Sequence, residues 1–114
     1  MPTLLITGAS GGIATALRRL AVDAGWSVVA ATRDAGRLAD AGLPAAQIVQ
    51  ADVSTPDGAA ALFATLGERG LQPDRLAHLA GSTLIAPLAR VKPEPYRAVM
   101  AANLDSAFYT LQAF

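Results

Sequence analysis

Three glycines fall within five residues in the segment Thr7-Gly8-Ala9-Ser10-Gly11-Gly12-Ile13-Ala14, and what flanks them constrains the fold more than anything else in the chain. Before them, Thr3-Leu4-Leu5-Ile6-Thr7 is apolar on both faces, the pattern of a strand buried in a parallel sheet. After them, Ile13 to Ala24 has helical period, with Ile13, Leu17, Leu20 and Ala21 predicted on one stripe, Arg18, Arg19 and Asp23 off it, and Gly25 as the stop. A glycine turn between a strand and a helix puts the helix N-terminus, with its free N–H groups and positive dipole end, directly behind the turn, where it suits a phosphate. Gly8 can make the tight turn, Gly12 can permit close approach of a ligand, and Ser10 can add a hydroxyl donor. The position where the helix packs on the sheet carries Ala14, small enough to be tolerated. A glycine-rich turn with no ligand, in a purely structural fold, is the alternative.

Strand and helix signals alternate along the rest of the chain. Ser27 to Ala31 is predicted as a second strand, and Asp34 as the N-cap of a short helix ending near Gly42-Leu43-Pro44. Gln47 to Gln50 reads as a brief third strand. Ser54 or Thr55, followed by Pro56, opens a helix with Leu62, Phe63 and Leu66 inward. Leu76 to Ala80 reads as the fourth strand and Gly81 to Val91 as a loop. A last helix starts around Pro93 to Pro95 and runs on through Val99, Met100, Leu104, Phe108 and Leu111. This order predicts an α/β fold, a Rossmann-like doubly wound parallel sheet of four strands in the order 3-2-1-4, with helices on both faces and one domain over residues 1–114.

Composition narrows the function. Hydrophobic residues make up 53% and charged residues 16%, too apolar a balance for a disordered chain. Nine basic residues match nine acidic ones, which argues against nucleic acid as a partner, because neutralising phosphates needs an excess of clustered Lys and Arg. The absence of cysteine removes disulfides, thiolate nucleophiles and zinc ribbons, and the single histidine, His78, leaves no multi-histidine metal site within the chain. No basic region precedes the opening apolar run, and apolar stretches are cut well short of the roughly 20 residues of a spanning helix, so the expectation is a soluble, cytoplasmic protein with no membrane partner.

A dinucleotide-binding turn is expected to be followed, about 20 residues on, by an acid for a ribose 2′-hydroxyl or a basic residue for a 2′-phosphate. Here that stretch reads Ala31-Thr32-Arg33-Asp34. Thr32 holds the acid's place, and Arg33 can fork onto a phosphate, which favours NADP(H) over NAD(H) unless Arg33 is simply a solvated surface residue. Asp34 is more economically read as a helix N-cap than as the ribose ligand.

Taken together these residues resemble the short-chain dehydrogenase/reductase family, in its classical branch, over the whole chain. The glycine loop is similar to the family's Thr-Gly-x-x-x-Gly-x-Gly with Ala14 in place of the last glycine; Gly8 and Gly11 alone would also suit the extended branch. Asp52-Val53 is similar to the family's pair after the third strand, where the Asp bonds the adenine amino group and the following backbone lines the ring. His78-Leu79-Ala80-Gly81 resembles the Asn-Asn-Ala-Gly stretch beside the cofactor ribose, with His78 and Leu79 replacing both asparagines. An imidazole offers one donor and one acceptor, so His78 can supply part of their support; a satisfied strand-end histidine is the plainer reading. Asn103, in Ala102-Asn103-Leu104, matches the asparagine of the family's Asn-Ser-Tyr-Lys tetrad. The resemblance implies a dinucleotide site made by Gly8, Ser10, Gly11, Gly12, Ile13, Arg33, Asp52, Val53, Ala80 and Gly81, with Asn103 as the one catalytic residue present, no metal, and a homo-oligomer paired through the last helix.

The resemblance also implies hydride transfer between nicotinamide and a carbonyl or alcohol substrate, with a tyrosine as general acid/base, a lysine four residues later lowering its pKa, a serine on the substrate oxygen, and the asparagine holding a water in a proton relay. Met100 stands four residues after Tyr96, Ala113 four after Tyr109, and Leu88 four before Lys92, so no Tyr-x-x-x-Lys exists here. The chain therefore reads as the cofactor-binding N-terminal part of a longer oxidoreductase, inactive alone. A nucleotide-binding or interaction module without chemistry is the rival reading.

Overall fold

Thr3–Thr7 is the central strand, β1, of a four-stranded parallel sheet in a computed structural model that describes residues 1–114. β2 (Ser27–Thr32) flanks it on one side and β4 (Arg75–His78) on the other, with β3 (Ile48–Gln50) beyond β2, so the order is β3-β2-β1-β4. This is the expected Rossmann-like doubly wound sheet. Thr7 pairs with Ala31 of β2 and with His78 of β4, so the C-terminal ends of these three strands finish nearly level. β1 has no polar face because both its faces are covered. Leu4 and Ile6 pack with Ala14 and Ala21 of helix α1 (Gly12–Asp23), whereas Leu5 packs with Leu62 and Leu66 of helix α2 (Pro56–Glu68).

Local signals set the helix limits. A Schellman motif closes α1: the Trp26 N–H donates to the Ala21 carbonyl and the Gly25 N–H to that of Val22, each at 2.9 Å. Thr55 opens α2 by accepting the Gly58 N–H at 3.0 Å, with Pro56 in the first turn.

Several expectations are corrected. The inward stripe of α1 is Ala14, Leu17, Arg18 and Ala21, while Ile13 and Leu20 are 77% and 67% exposed. Ala14 sets this rotation: as the small residue it takes the position nearest the sheet, and the residues three, four and seven positions later turn inward with it. Arg18 accommodates by laying its apolar stem along the core while its guanidinium reaches the Ala9 carbonyl at 3.5 Å. The short helix expected after Asp34 is a single 3-10 turn, Ala35–Leu38, because two glycines and a proline leave too few consecutive helix formers to nucleate more. A second 3-10 turn, Ala45–Gln47, delays β3 to Ile48, and β2 continues one residue further than expected, to Thr32. β4 stops at His78 instead of Ala80, since β1 turns away at Gly8 and leaves Leu79 bonded only to Thr7.

The last helical run divides into α3 (Pro93–Met100), a π-helical turn (Ala101–Asp105) and α4 (Ser106–Ala113). The extra residue in the π turn rotates α4 about the helix axis relative to α3. Ser106 and Thr110 are fully buried, while Leu104, Phe108 and Leu111, spaced along one face, are about 60% exposed. No helix is long and apolar enough to cross a membrane.

Leu62→Ala is expected to lower stability by about 2–5 kcal/mol in urea unfolding, because it empties a fully buried site, whereas Leu111→Ala should change it by less than about 0.5 kcal/mol. Equal effects would contradict the assignment of the core.

Candidate functional site

The level strand ends carry an open cleft of about 250 Å³. Gly8, Ser10 and Gly11 line it from the turn after β1; Thr32, Arg33 and Arg37 from the end of β2 and the 3-10 turn beyond; Asp52, Val53 and Ser54 from the segment after β3; and Ala80 and Gly81 from the segment after β4. Eight of the expected cofactor-binding residues therefore share one cleft. Gly12 and Ile13 do not line it; they form the first turn of α1 at its edge. Ala102 and Ser106, from the π turn and the start of α4, close the far end.

Gly8 makes the turn possible. Its φ is 62°, and a Cβ there would stand 2.6 Å from the backbone of Leu79 and Ala80. At Gly12, by contrast, a Cβ would meet nothing within 4 Å, so no contact inside the chain demands glycine. The amides of Gly12, Ile13 and Ala14 have no acceptor in the chain, and Gly11 caps the helix with no side-chain bond. Open space and free N–H groups at a helix N-terminus fit an anion such as a pyrophosphate.

The two walls differ in charge. Arg33 and Arg37 are both exposed, and Asp34 is occupied elsewhere: its carboxylate accepts the Gly36 N–H at 3.0 Å and pairs with Arg37 at 3.7 Å. Thr32 is buried, its hydroxyl donating to Ser10 Oγ at 3.3 Å. Opposite, one oxygen of Asp52 accepts the Ser54 hydroxyl at 2.6 Å and the Ser54 N–H at 3.0 Å. These bonds, helped by the charge of Arg33, hold the Asp52 carboxyl below its usual range. Arg37 and Ser106 were not read from the sequence as site residues, and Ser54 was read only as an alternative to Thr55 for the N-cap, which Thr55 takes. Arg37 carried a signal, standing one helical turn after Arg33, but Ser106 carried none, because the π turn that buries it leaves no pattern.

Asn103 is exposed, but its side-chain amide is engaged on both its nitrogen and its oxygen. Its amide donates to the carbonyls of Ser82 and Val99, both at 2.8 Å, and its carbonyl accepts the Ser82 N–H at 3.2 Å. The fit is close enough that a Cβ on Gly81 would lie 2.5 Å from Asn103 Oδ1. His78 bridges two elements, with Nδ1 2.7 Å from Thr7 Oγ1 and Nε2 3.0 Å from Ser106 Oγ. Burial lowers its pKa from the ordinary imidazole value.

The family model of the short chain dehydrogenases matches residues 2–114. The chain is 32% identical over 113 residues to a rhamnolipids biosynthesis 3-oxoacyl-[acyl-carrier-protein] reductase of Pseudomonas aeruginosa, covering 95% of this chain and 44% of that one. A short-chain dehydrogenase/reductase structure from Brucella melitensis superposes with a TM-score of 0.86 at 31% identity, over 98% of this chain and 49% of that one. A 4-hydroxyisoleucine dehydrogenase complexed with NADH gives 0.87 at 25% identity, over 98% and 47%. The chain belongs to the short-chain dehydrogenase/reductase family of oxidoreductases, and it spans between 35% and 47% of the length of the curated relatives it matches.

Ser54→Ala should raise the Asp52 pKa toward 3.8, read by carboxyl carbon NMR. Because the folded value lies below the unfolded one, Asp52 adds stability above about pH 4 that is lost as pH falls through the folded value. An unmoved pKa in the variant would contradict the assigned cause.

Proposed function

We propose that residues 1–114 are the dinucleotide-binding part of an oxidoreductase that prefers NADP(H) and acts on a carbonyl or alcohol substrate. The observation that carries this reading is the cleft itself, which joins the N-terminus of α1, whose first amides have no acceptor in the chain, to a wall bearing Arg33 and Arg37. The free amides of Gly12, Ile13 and Ala14 would hold the pyrophosphate, with Gly8 and Gly11 keeping side chains out of its way. Arg33, joined by Arg37, would take the 2′-phosphate; the end of β2 offers Thr32 where an acid would serve the ribose of NAD(H), and Asp34 is spent on its cap and on Arg37. Asp52, kept ionised, would accept from the adenine amino group, Val53 would line the ring, and the Ala80-Gly81 backbone would lie beside the ribose. Bound nicotinamide supplies or accepts the hydride.

The neighbour solved with NADH carries the unphosphorylated cofactor, so the preference for NADP(H) rests on Arg33 and Arg37. A reductase and a dehydrogenase among the similar proteins support carbonyl or alcohol chemistry for the whole protein. The exposed Leu104, Phe108 and Leu111 support pairing of two copies through α4. With Asn103 bonded to Ser82 and Val99, and no Tyr-x-x-x-Lys in the sequence, this chain binds the cofactor without turning it over.

Titration calorimetry is expected to show NADPH bound at least about tenfold more tightly than NADH, the lower end of the ~1.5–3 kcal/mol from a hydrogen bond to a charged group, and Arg33→Ala should erase most of that difference. Equal affinities for the two cofactors would overturn the role of Arg33. In a separate assay the chain should oxidise no NADPH with a panel of ketones; measurable turnover would overturn the inactivity.

A further inference from the structure

The only histidine in the sequence sits where three cleft-forming segments meet, with each ring nitrogen against a hydroxyl. The Leu79 N–H donates to Thr7 Oγ1 at 3.1 Å, and Ser106 Oγ lies 2.7 Å from the Ala102 carbonyl, to which it can only donate. Between them, Nδ1 lies 2.7 Å from Thr7 Oγ1 and Nε2 3.0 Å from Ser106 Oγ; with the Ser106 proton spent on Ala102, Nε2 must donate, and in the neutral ring Nδ1 then accepts from the Thr7 hydroxyl. In that arrangement the donors follow one another from Leu79, whose N–H is shared with the Thr7 carbonyl at 3.2 Å, to the Ala102 carbonyl. Only the neutral imidazole with its proton on Nε2 completes it, because a second proton on Nδ1 would face the Thr7 hydroxyl with a donor and leave that hydroxyl proton without its acceptor.

We propose that neutral His78 is a positioning residue that ties the ends of β1 and β4 to the π turn carrying Ala102 and Asn103, so that the dinucleotide cleft keeps its shape only while this imidazole is uncharged. The proposal rests on the dinucleotide reading of the cleft. Thr7 adjoins Gly8, His78 precedes the Leu79–Gly81 wall, Ser106 lines the cleft's far end, and Asn103 clamps Ser82 from the same turn. The coupling thus reaches the phosphate turn, the ribose wall and the helix together. No charged side chain bonds the imidazole. Asp57 and Glu68 of α2, Asp105 of the π turn, Tyr109 of α4 and Arg75 on its own strand are the titratable groups on the elements around it, and burial alone accounts for its lowered pKa. An imidazole whose folded value lies below 6.5 binds more protons when released, so the arrangement is intact above that pH and is lost as pH falls through the folded value.

Long-range nitrogen–proton NMR of the single imidazole tests the geometry without any cofactor: the expected spectrum is the neutral Nε2–H tautomer with a pKa below 6.5, and the Nδ1–H tautomer or a higher pKa would overturn the proposal. Calorimetry with NADP⁺ and NAD⁺ tests the coupling. Affinity for both should fall by up to about tenfold per pH unit once His78 protonates, and NAD⁺ has no 2′-phosphate to titrate. His78→Gln, whose amide does not titrate in this range, should bind with a flat pH profile, and Ser106→Ala should bind more weakly with a reduced pH dependence. An unchanged profile in His78→Gln would overturn the coupling. Absence of dinucleotide binding at every pH, with the expected imidazole spectrum, would instead remove the dinucleotide reading and the coupling while leaving the hydrogen-bond chain in place.

Discussion

Gly8 turns the backbone at φ 62° with less than a carbon's clearance from the backbone of Leu79 and Ala80, and the rest of the cleft depends on that contact. The turn ends β1, starts α1 within four residues, and aims the first amides of the helix back over the sheet's edge. The close approach also brings the β1 end against the segment leaving β4, so that Thr7 bonds both the Leu79 amide and the His78 ring. A side chain at position 8 would push these two segments apart and open the floor of the site.

Once the floor is fixed, charge is distributed by local bonds more than by the whole chain. A formal net charge of +0 conceals a basic wall at Arg33 and Arg37 and, in the same cleft, an Asp52 whose pKa the Ser54 bonds lower. The small ligand that such a cleft suits carries both anionic groups and a hydrogen-bonding base, which is the combination a dinucleotide presents. Burial elsewhere is set by the sheet: Leu5 and Ile6 are both fully buried because α1 and α2 cover opposite faces.

The architecture was legible because it depends on patterns that survive in one dimension. Leu4, Leu5 and Ile6 are apolar on both faces of a strand, Gly25 stops a helix, and Thr55-Pro56 starts one, so the placement of strands and helices could be read from the alternation. The features that went unread depend on packing or on single extra residues. The burial of Arg18 comes from how tightly Ala14 lets the helix approach, which a hydrophobic stripe does not encode. The π turn at Ala101–Asp105 inserts a residue without any Pro or Gly to mark it, so one unbroken helix was expected through Val99, Met100, Leu104, Phe108 and Leu111, and Ser106 went unremarked. In the site, residues carried by motif were found, whereas Arg37 and Ser54 act through their position beside those motifs.

The central claim is that the first turn of α1 and the wall after β2 act on one ligand. Backbone amide NMR during titration with NADP⁺ tests it most directly. The account predicts that the largest shifts fall together on Gly11 to Ala14, on Arg33 and on Asp52 and Val53, saturating with a single dissociation constant. Shifts confined to one of these segments, or centred on the face of α1 away from the cleft, would contradict it.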